Sequence, residues 1–107
     1  MKEMGPEALK GHLDALLLAV VAGGPAHGYR ILEDLRRRSG GAFDLPEGTV
    51  YPALHRLERG GLLASRWTLS SGRRRRVYRL TRRGRSALAR QKADWERFSG
   101  AVQAVLM

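Results

Sequence analysis

What most constrains this sequence is a change of pattern in its second half. Two β-like runs, residues 63–69 and 75–80, flank the polar stretch Ser70-Ser71-Gly72-Arg73 and read as a hairpin with a short tip. The segments around them are patterned for helices. Leu9, Leu13, Leu16, Leu17 and Val20 recur at helical spacing and predict a first helix over about 6–22, ended by Gly23-Gly24-Pro25. Ile31, Leu32 and Leu35 mark a second helix over about 27–38, with Arg36, Arg37 and Arg38 at the end where the helix dipole favours cations. Val50, Leu54 and Leu57 give a third, from near Glu47 to just before Gly60, with Pro52 close to its first turn. In the loop before it, Phe43 and Leu45 are expected to tuck against the core. Thr81 suits the N-cap of a final helix reaching about Leu106. The order is α-α-α-β-β-α, a mainly helical α+β chain. Three short helices and then a hairpin is the winged helix-turn-helix layout, here spanning residues 1–80, and the long helix over 81–107 is an addition to it.

Charge is distributed unevenly along this pattern. The net charge of +10 divides into −1 over residues 1–58, +12 over 59–93 and −1 over 94–107, and the middle span holds twelve Lys/Arg and no acid. A run of charge can be a plain solvated face. So lopsided a block on a folded chain more often marks a polyanion partner. Other classes are disfavoured. The longest apolar run, 15–22, is far short of the roughly 20 residues a bilayer needs. No export signal is visible at the N-terminus, and the absence of cysteine is compatible with a cytoplasmic location. His12, His27 and His55 are scattered without carboxylates at ligand spacing, so no metal site or cofactor is expected. No nucleophile–base motif or P-loop is present, so an enzyme is not expected.

A helix-turn-helix sets its second helix in the major groove, which here is the third helix of the chain. With Val50, Leu54 and Leu57 inward, its other faces carry Thr49, Tyr51, Pro52, Ala53, His55, Arg56 and Arg59. The Thr49 and Tyr51 hydroxyls suit phosphates or bases, Arg56 suits phosphate or guanine, and Pro52 or Ala53 permits close approach. Taken singly, each is also an ordinary exposed residue, and Tyr51 could be half-buried. As a set at the start of one helix they favour DNA. The hairpin tip carries Gly72, Arg73, Arg74, Arg75 and Arg76, placed to reach flanking phosphates or a minor groove. Val77 and Leu80 have opposite parity, so alternation alone does not divide these arginines between faces. Charge could serve merely to keep a hairpin edge soluble, but Lys and Glu would do that equally well, and every charge here is arginine.

Three segments carry a family resemblance: Gly24-Pro25-Ala26-His27-Gly28-Tyr29-Arg30-Ile31, the stretch from Gly48-Thr49-Val50-Tyr51-Pro52 through Leu57-Glu58-Arg59-Gly60-Gly61-Leu62-Leu63, and Arg76-Val77-Tyr78-Arg79-Leu80-Thr81-Arg82-Arg83-Gly84. Together they closely resemble the PadR family of bacterial transcriptional regulators, over nearly the whole chain, with the middle segment the most specific. The short C-terminal part is similar to the subfamily with one long terminal helix. The resemblance implies a homodimer whose recognition helices and wings read a pseudo-palindromic operator in double-stranded DNA. It also implies repression, often with release by a small ligand, and a cytoplasmic protein associated with the bacterial nucleoid when bound. On this resemblance Thr49, Tyr51, Pro52, His55 and Arg56 match the recognition helix, and Gly72, Arg73, Arg74 and Arg75 match the wing tip.

The last helix has a pattern of its own. Leu88, Gln91, Trp95, Phe98, Val102 and Val105 follow 3-4-3-4-3 spacing, a coiled-coil-like seam suited to dimerisation. Folding back on the chain's own core is the other reading. Leu88, Trp95, Phe98 and Val102 could also line a pocket for a small hydrophobic or aromatic effector, against plain interface core. Two rival functions remain at this level. A non-sequence-specific RNA- or DNA-binding protein would bind by shape and salt, and an adaptor would tolerate loss of the basic span.

Overall fold

A computed structural model describes residues 9–107. The elements are α1 (Leu13–Ala22), β1 (Ala26–His27), α2 (Gly28–Arg38), α3 (Glu47–Arg59), β2 (Leu63–Ser70), β3 (Arg73–Leu80) and α4 (Arg82–Leu106). This is the expected winged helix-turn-helix with a long terminal helix, with two departures in local structure.

The first departure concerns the start of α1, expected near residue 6. Residues 6–8 lie outside the described part. Leu9 to His12 form a turn closed by the His12 N–H on the Leu9 carbonyl, and Gly11 adopts φ +83°, a left-handed conformation that interrupts the helical period. Leu9 is still buried, so its place in the apolar pattern reflected burial and not helix. The second departure is β1. Ala26 and His27 pair antiparallel with Tyr78 and Val77, giving a three-stranded sheet of order β1-β3-β2. Two residues are too few to show a period, so only the tertiary contact identifies this strand.

One core unites the helices and the sheet. Leu17, Leu18 and Val21 of α1 meet Ile31 and Leu35 of α2, Val50, Leu54 and Leu57 of α3, and Leu63, Tyr78 and Leu80 of the sheet. Leu45 is buried and Phe43 packs against the same cluster, as the loop pattern suggested.

The hairpin ladder runs from Leu63↔Leu80 to Ser70↔Arg73. Only Ser71 and Gly72 are left for the turn, at φ +52° and +76°, the two-residue geometry that matches strand twist. Arg73 and Arg74 are therefore strand residues. The register and the two-residue alternation also divide the arginines. Arg74 and Arg76 share a face with Trp67, Ser65, Tyr78 and Leu80, while Arg73 and Arg75 share the other with Val77 and Arg66.

Helix α4 starts on a side-chain cap, the Thr81 hydroxyl accepting from the Gly84 N–H at 3.0 Å. Gly84 sits against the loop that leads into β2 so closely that a Cβ there would lie 2.1 Å from the Leu62 carbonyl oxygen. Ala87 and Leu88 follow it into the core. This corrects the expectation for Leu88, which packs inside its own chain and does not line an open seam. Beyond it α4 leaves the core, and Trp95, Phe98, Val102 and Val105 are exposed.

Candidate nucleic-acid interface

The 100° step of α3 sets its faces. Val50, Ala53, Leu54 and Leu57 are buried. Ala53 was expected on the outer surface; at 4% exposure it is core, so it cannot be a point of close approach. The outermost positions are Gly48, Pro52, His55 and Arg59, all exposed. Thr49 and Arg56 lie on the flank toward α1, and Tyr51 on the flank toward α2.

Tyr51 is half-buried. Its ring covers Gly28, where a Cβ would come within 2.5 Å of Cε1, so glycine at the start of α2 makes room for it. Burial, with Glu47 and Tyr29 nearby, pushes the phenol above its ordinary pKa, so its hydroxyl remains a proton donor. Arg56 is engaged. Its Nη1 and Nη2 donate to the Asp14 carboxylate at 2.9–3.0 Å, tying α3 to α1.

The wing arginines separate into two kinds. Arg73 and Arg74 are exposed next to the tip. Arg75 turns back to the body of the protein, with Nη1 2.8 Å from His27 Nε2. The other ring nitrogen of His27 accepts the Arg30 N–H at 3.3 Å and caps α2. A neutral ring accepts at only one nitrogen, so it can serve one of these two donors, and a second proton would leave it able to serve neither. Burial first, then the charges of Arg75 and Arg30, hold the His27 pKa below its usual value. Arg76 also turns inward, donating from Nη2 to Glu58 Oε1 at 3.2 Å and from Nε to Ser65 Oγ at 2.7 Å. The Ser65 hydroxyl donates to Glu58 Oε2, and with Arg76 it holds the carboxyl below the ordinary range against the opposing effect of burial.

The structure therefore brings the outer face of α3 and the wing onto one frame, joined by Glu58, Ser65 and Arg76. The sequence reading had not placed Asp14, His27, Glu58, Ser65 or Trp67 in this site. One signal was available: Glu58 is the last acid before a 35-residue span without any. On α4, Trp95 stands edge-on to His12 at 5.2 Å between ring centroids and 6.0 Å from Phe98. Among the described residues, no group of three His, Asp or Glu could hold a metal ion, and no helix is long and apolar enough to cross a membrane.

Comparison with known proteins adds the family. Residues 17–90 match the model of the transcriptional regulator PadR-like family. The chain belongs to the PadR family. Among its relatives is the transcriptional regulator Rv3488 of Mycobacterium tuberculosis, 36% identical over 102 residues, which span 95% of this chain and 89% of that one. Similar solved structures include a PadR family transcription regulator from Clostridium difficile R20291, at TM-score 0.80 and 32% identity, covering 91% of this chain and 100% of the other. Another is a PadR family transcriptional regulator from Eggerthella lenta, at TM-score 0.83 and 32% identity, covering 94% and 86%. As a PadR-family transcriptional regulator, this protein is a DNA-binding regulator and not an enzyme.

Proposed function

We propose that this PadR-family chain is a homodimeric, cytoplasmic repressor that reads a pseudo-palindromic operator. The outer face of α3 enters the major groove while Gly72, Arg73 and Arg74 meet the flanking backbone. The observation that carries this reading is the frame itself. An arginine-only hairpin is bonded through Arg76 to Glu58 in the last turn of the helix that presents Pro52, His55 and Arg59 outward. Tyr51 supplies a hydroxyl from the α2 flank. Thr49 and Arg56 contribute from the opposite flank, Arg56 only by leaving Asp14. Arg75 supports the wing base through His27 more than it reaches outward.

The dimer seam begins beyond Leu88. Trp95, Phe98, Val102 and Val105 form an apolar stripe that is exposed among the described residues. Gln91, at the head of that stripe, has its side-chain oxygen buried without a partner among the described residues, which suits a donor from a second copy. The aromatic pair in this seam is also where a flat apolar effector would lodge and weaken DNA binding. Selection of bound sequences from random duplex DNA tests the reading. A palindromic consensus with half-sites about one helical turn apart is expected. Binding without any consensus would replace the repressor with a non-specific nucleic-acid binder.

A further inference from the structure

One face of the hairpin carries a continuous series of side chains from the recognition helix to the tip. It starts at Glu58, which binds the Ser65 hydroxyl at 2.5 Å and Arg76 at 3.2 Å. Trp67 stands opposite Arg76 in the ladder, and the Arg76 guanidinium carbon lies 5.6 Å from the centroid of its ring. On the tip side, the Arg74 guanidinium carbon lies 4.8 Å from the same centroid. Trp67 is therefore flanked by two cations and is itself 55% exposed, so it adds little to the core.

A guanidinium stacks on an indole through its flat face, and its N–H donors point outward in its own plane. Stacking thus leaves the phosphate-binding edge of Arg74 open while restricting its rotamers. A side chain ordered beforehand loses less entropy when it binds. The other end of the series is fixed to α3, so the anchor keeps a set distance from the helix that enters the groove.

We propose that Trp67 is a positioning residue for DNA binding. It holds Arg74 as a pre-set anchor for a backbone phosphate of the duplex, and with Arg76, Ser65 and Glu58 it fixes the wing tip relative to the recognition helix. This rests on the DNA-binding reading above.

The test is titration of a duplex carrying the selected consensus, at several salt concentrations, with wild type, Trp67→Leu, Trp67→Phe, Arg74→Ala and the Trp67→Leu/Arg74→Ala double variant. Trp67→Leu should weaken binding by roughly two- to ten-fold. Its salt slope should fall toward that of Arg74→Ala, the loss of about one phosphate contact. Trp67→Phe keeps an aromatic face and should retain most of the affinity. On the Arg74→Ala background, Trp67→Leu should cost nothing further. Equal losses on both backgrounds, no loss in Trp67→Leu, or a Phe variant as weak as the Leu variant would each overturn the proposal. So would wild-type affinity in Arg74→Ala, which leaves DNA binding itself intact; failure to obtain any consensus would instead count against the operator-reading repressor proposed above.

Discussion

Arg56 is already paired before it meets any DNA. Asp14 takes both of its terminal nitrogens, and both side chains are substantially exposed, so the pair contributes at most about 1 kcal/mol to stability. Asp14→Asn should therefore leave folding almost unchanged. If Arg56 serves the operator, the substitution should raise operator affinity a few-fold, because no ion pair has to break. Unchanged or weaker binding in a fluorescence anisotropy titration would take Arg56 out of the DNA interface. Arg73 and Arg74 act differently. Their replacement by Ala should weaken binding alike for matched and mismatched duplexes and flatten the salt dependence, whereas a change at Tyr51 should alter sequence preference as well.

His27 supplies a pH dependence whose sign follows from its environment. Its pKa is lowered in the folded protein, so the unfolded chain binds the proton more readily. Its contribution to stability is complete above the unfolded value of about 6.5 and is lost as pH falls from there through the folded value. Protonation removes the one acceptor nitrogen of the neutral ring, so whichever contact it serves, the α2 cap or the wing base, is lost. The thermal midpoint of wild type should fall between pH 7.5 and 5.5 by more than that of His27→Asn, since Asn can still cap α2. Parallel pH profiles would show that His27 does not titrate in this range.

At the scale of elements, two glycines of α4 make opposite predictions. Gly84 packs on Leu62, just before β2, and on the end of β3, and a methyl there would meet the Leu62 carbonyl oxygen at 2.1 Å and Leu80 Cδ1 at 2.7 Å. Backbone cannot move aside cheaply, so the overlap outweighs the roughly 1 kcal/mol that Ala gains in a helix. Gly84→Ala should lower the thermal midpoint by several degrees. Gly100 has nothing within 4 Å of its Cβ position, so Gly100→Ala should raise it. The two variants share one helix and one substitution, and the sign of each shift measures packing alone. An increase for Gly84→Ala would mean that α4 does not seat on the sheet as described.

At the scale of the molecule, α4 is about 37 Å long, and its residues buried among the described part of the chain, Gly84, Ala87 and Leu88, lie in its first two turns. The proposed dimer uses the remainder. Trp95→Ala/Phe98→Ala should shift sedimentation toward monomer at micromolar concentration and reduce operator affinity, because two half-sites would then be bound independently. A wild-type monomer under those conditions would remove the seam.

The sequence by itself determined the order of the four helices and the hairpin. Leu, Ile and Val spacing and the turn residues between the elements are local signals, and they were enough to specify four helices, one hairpin and the span that carries the basic charge. They also identified Val50, Leu54 and Leu57 as the inner face of α3. Contacts between elements were decided by the tertiary structure alone. The pairing of Ala26 and His27 with β3, the burial of Ala53 and Leu88, the grip of Asp14 on Arg56 and the Glu58–Arg76 bridge all join residues distant along the chain. Periodicity reports only which way a side chain points relative to its own element. Whether that direction meets solvent, the core or a counter-charge depends on where the other elements pack. The four wing arginines show the difference: identical in sequence, they divide into two exposed beside the tip and two held inward only because packing brings His27 to Arg75 and Glu58 to Arg76.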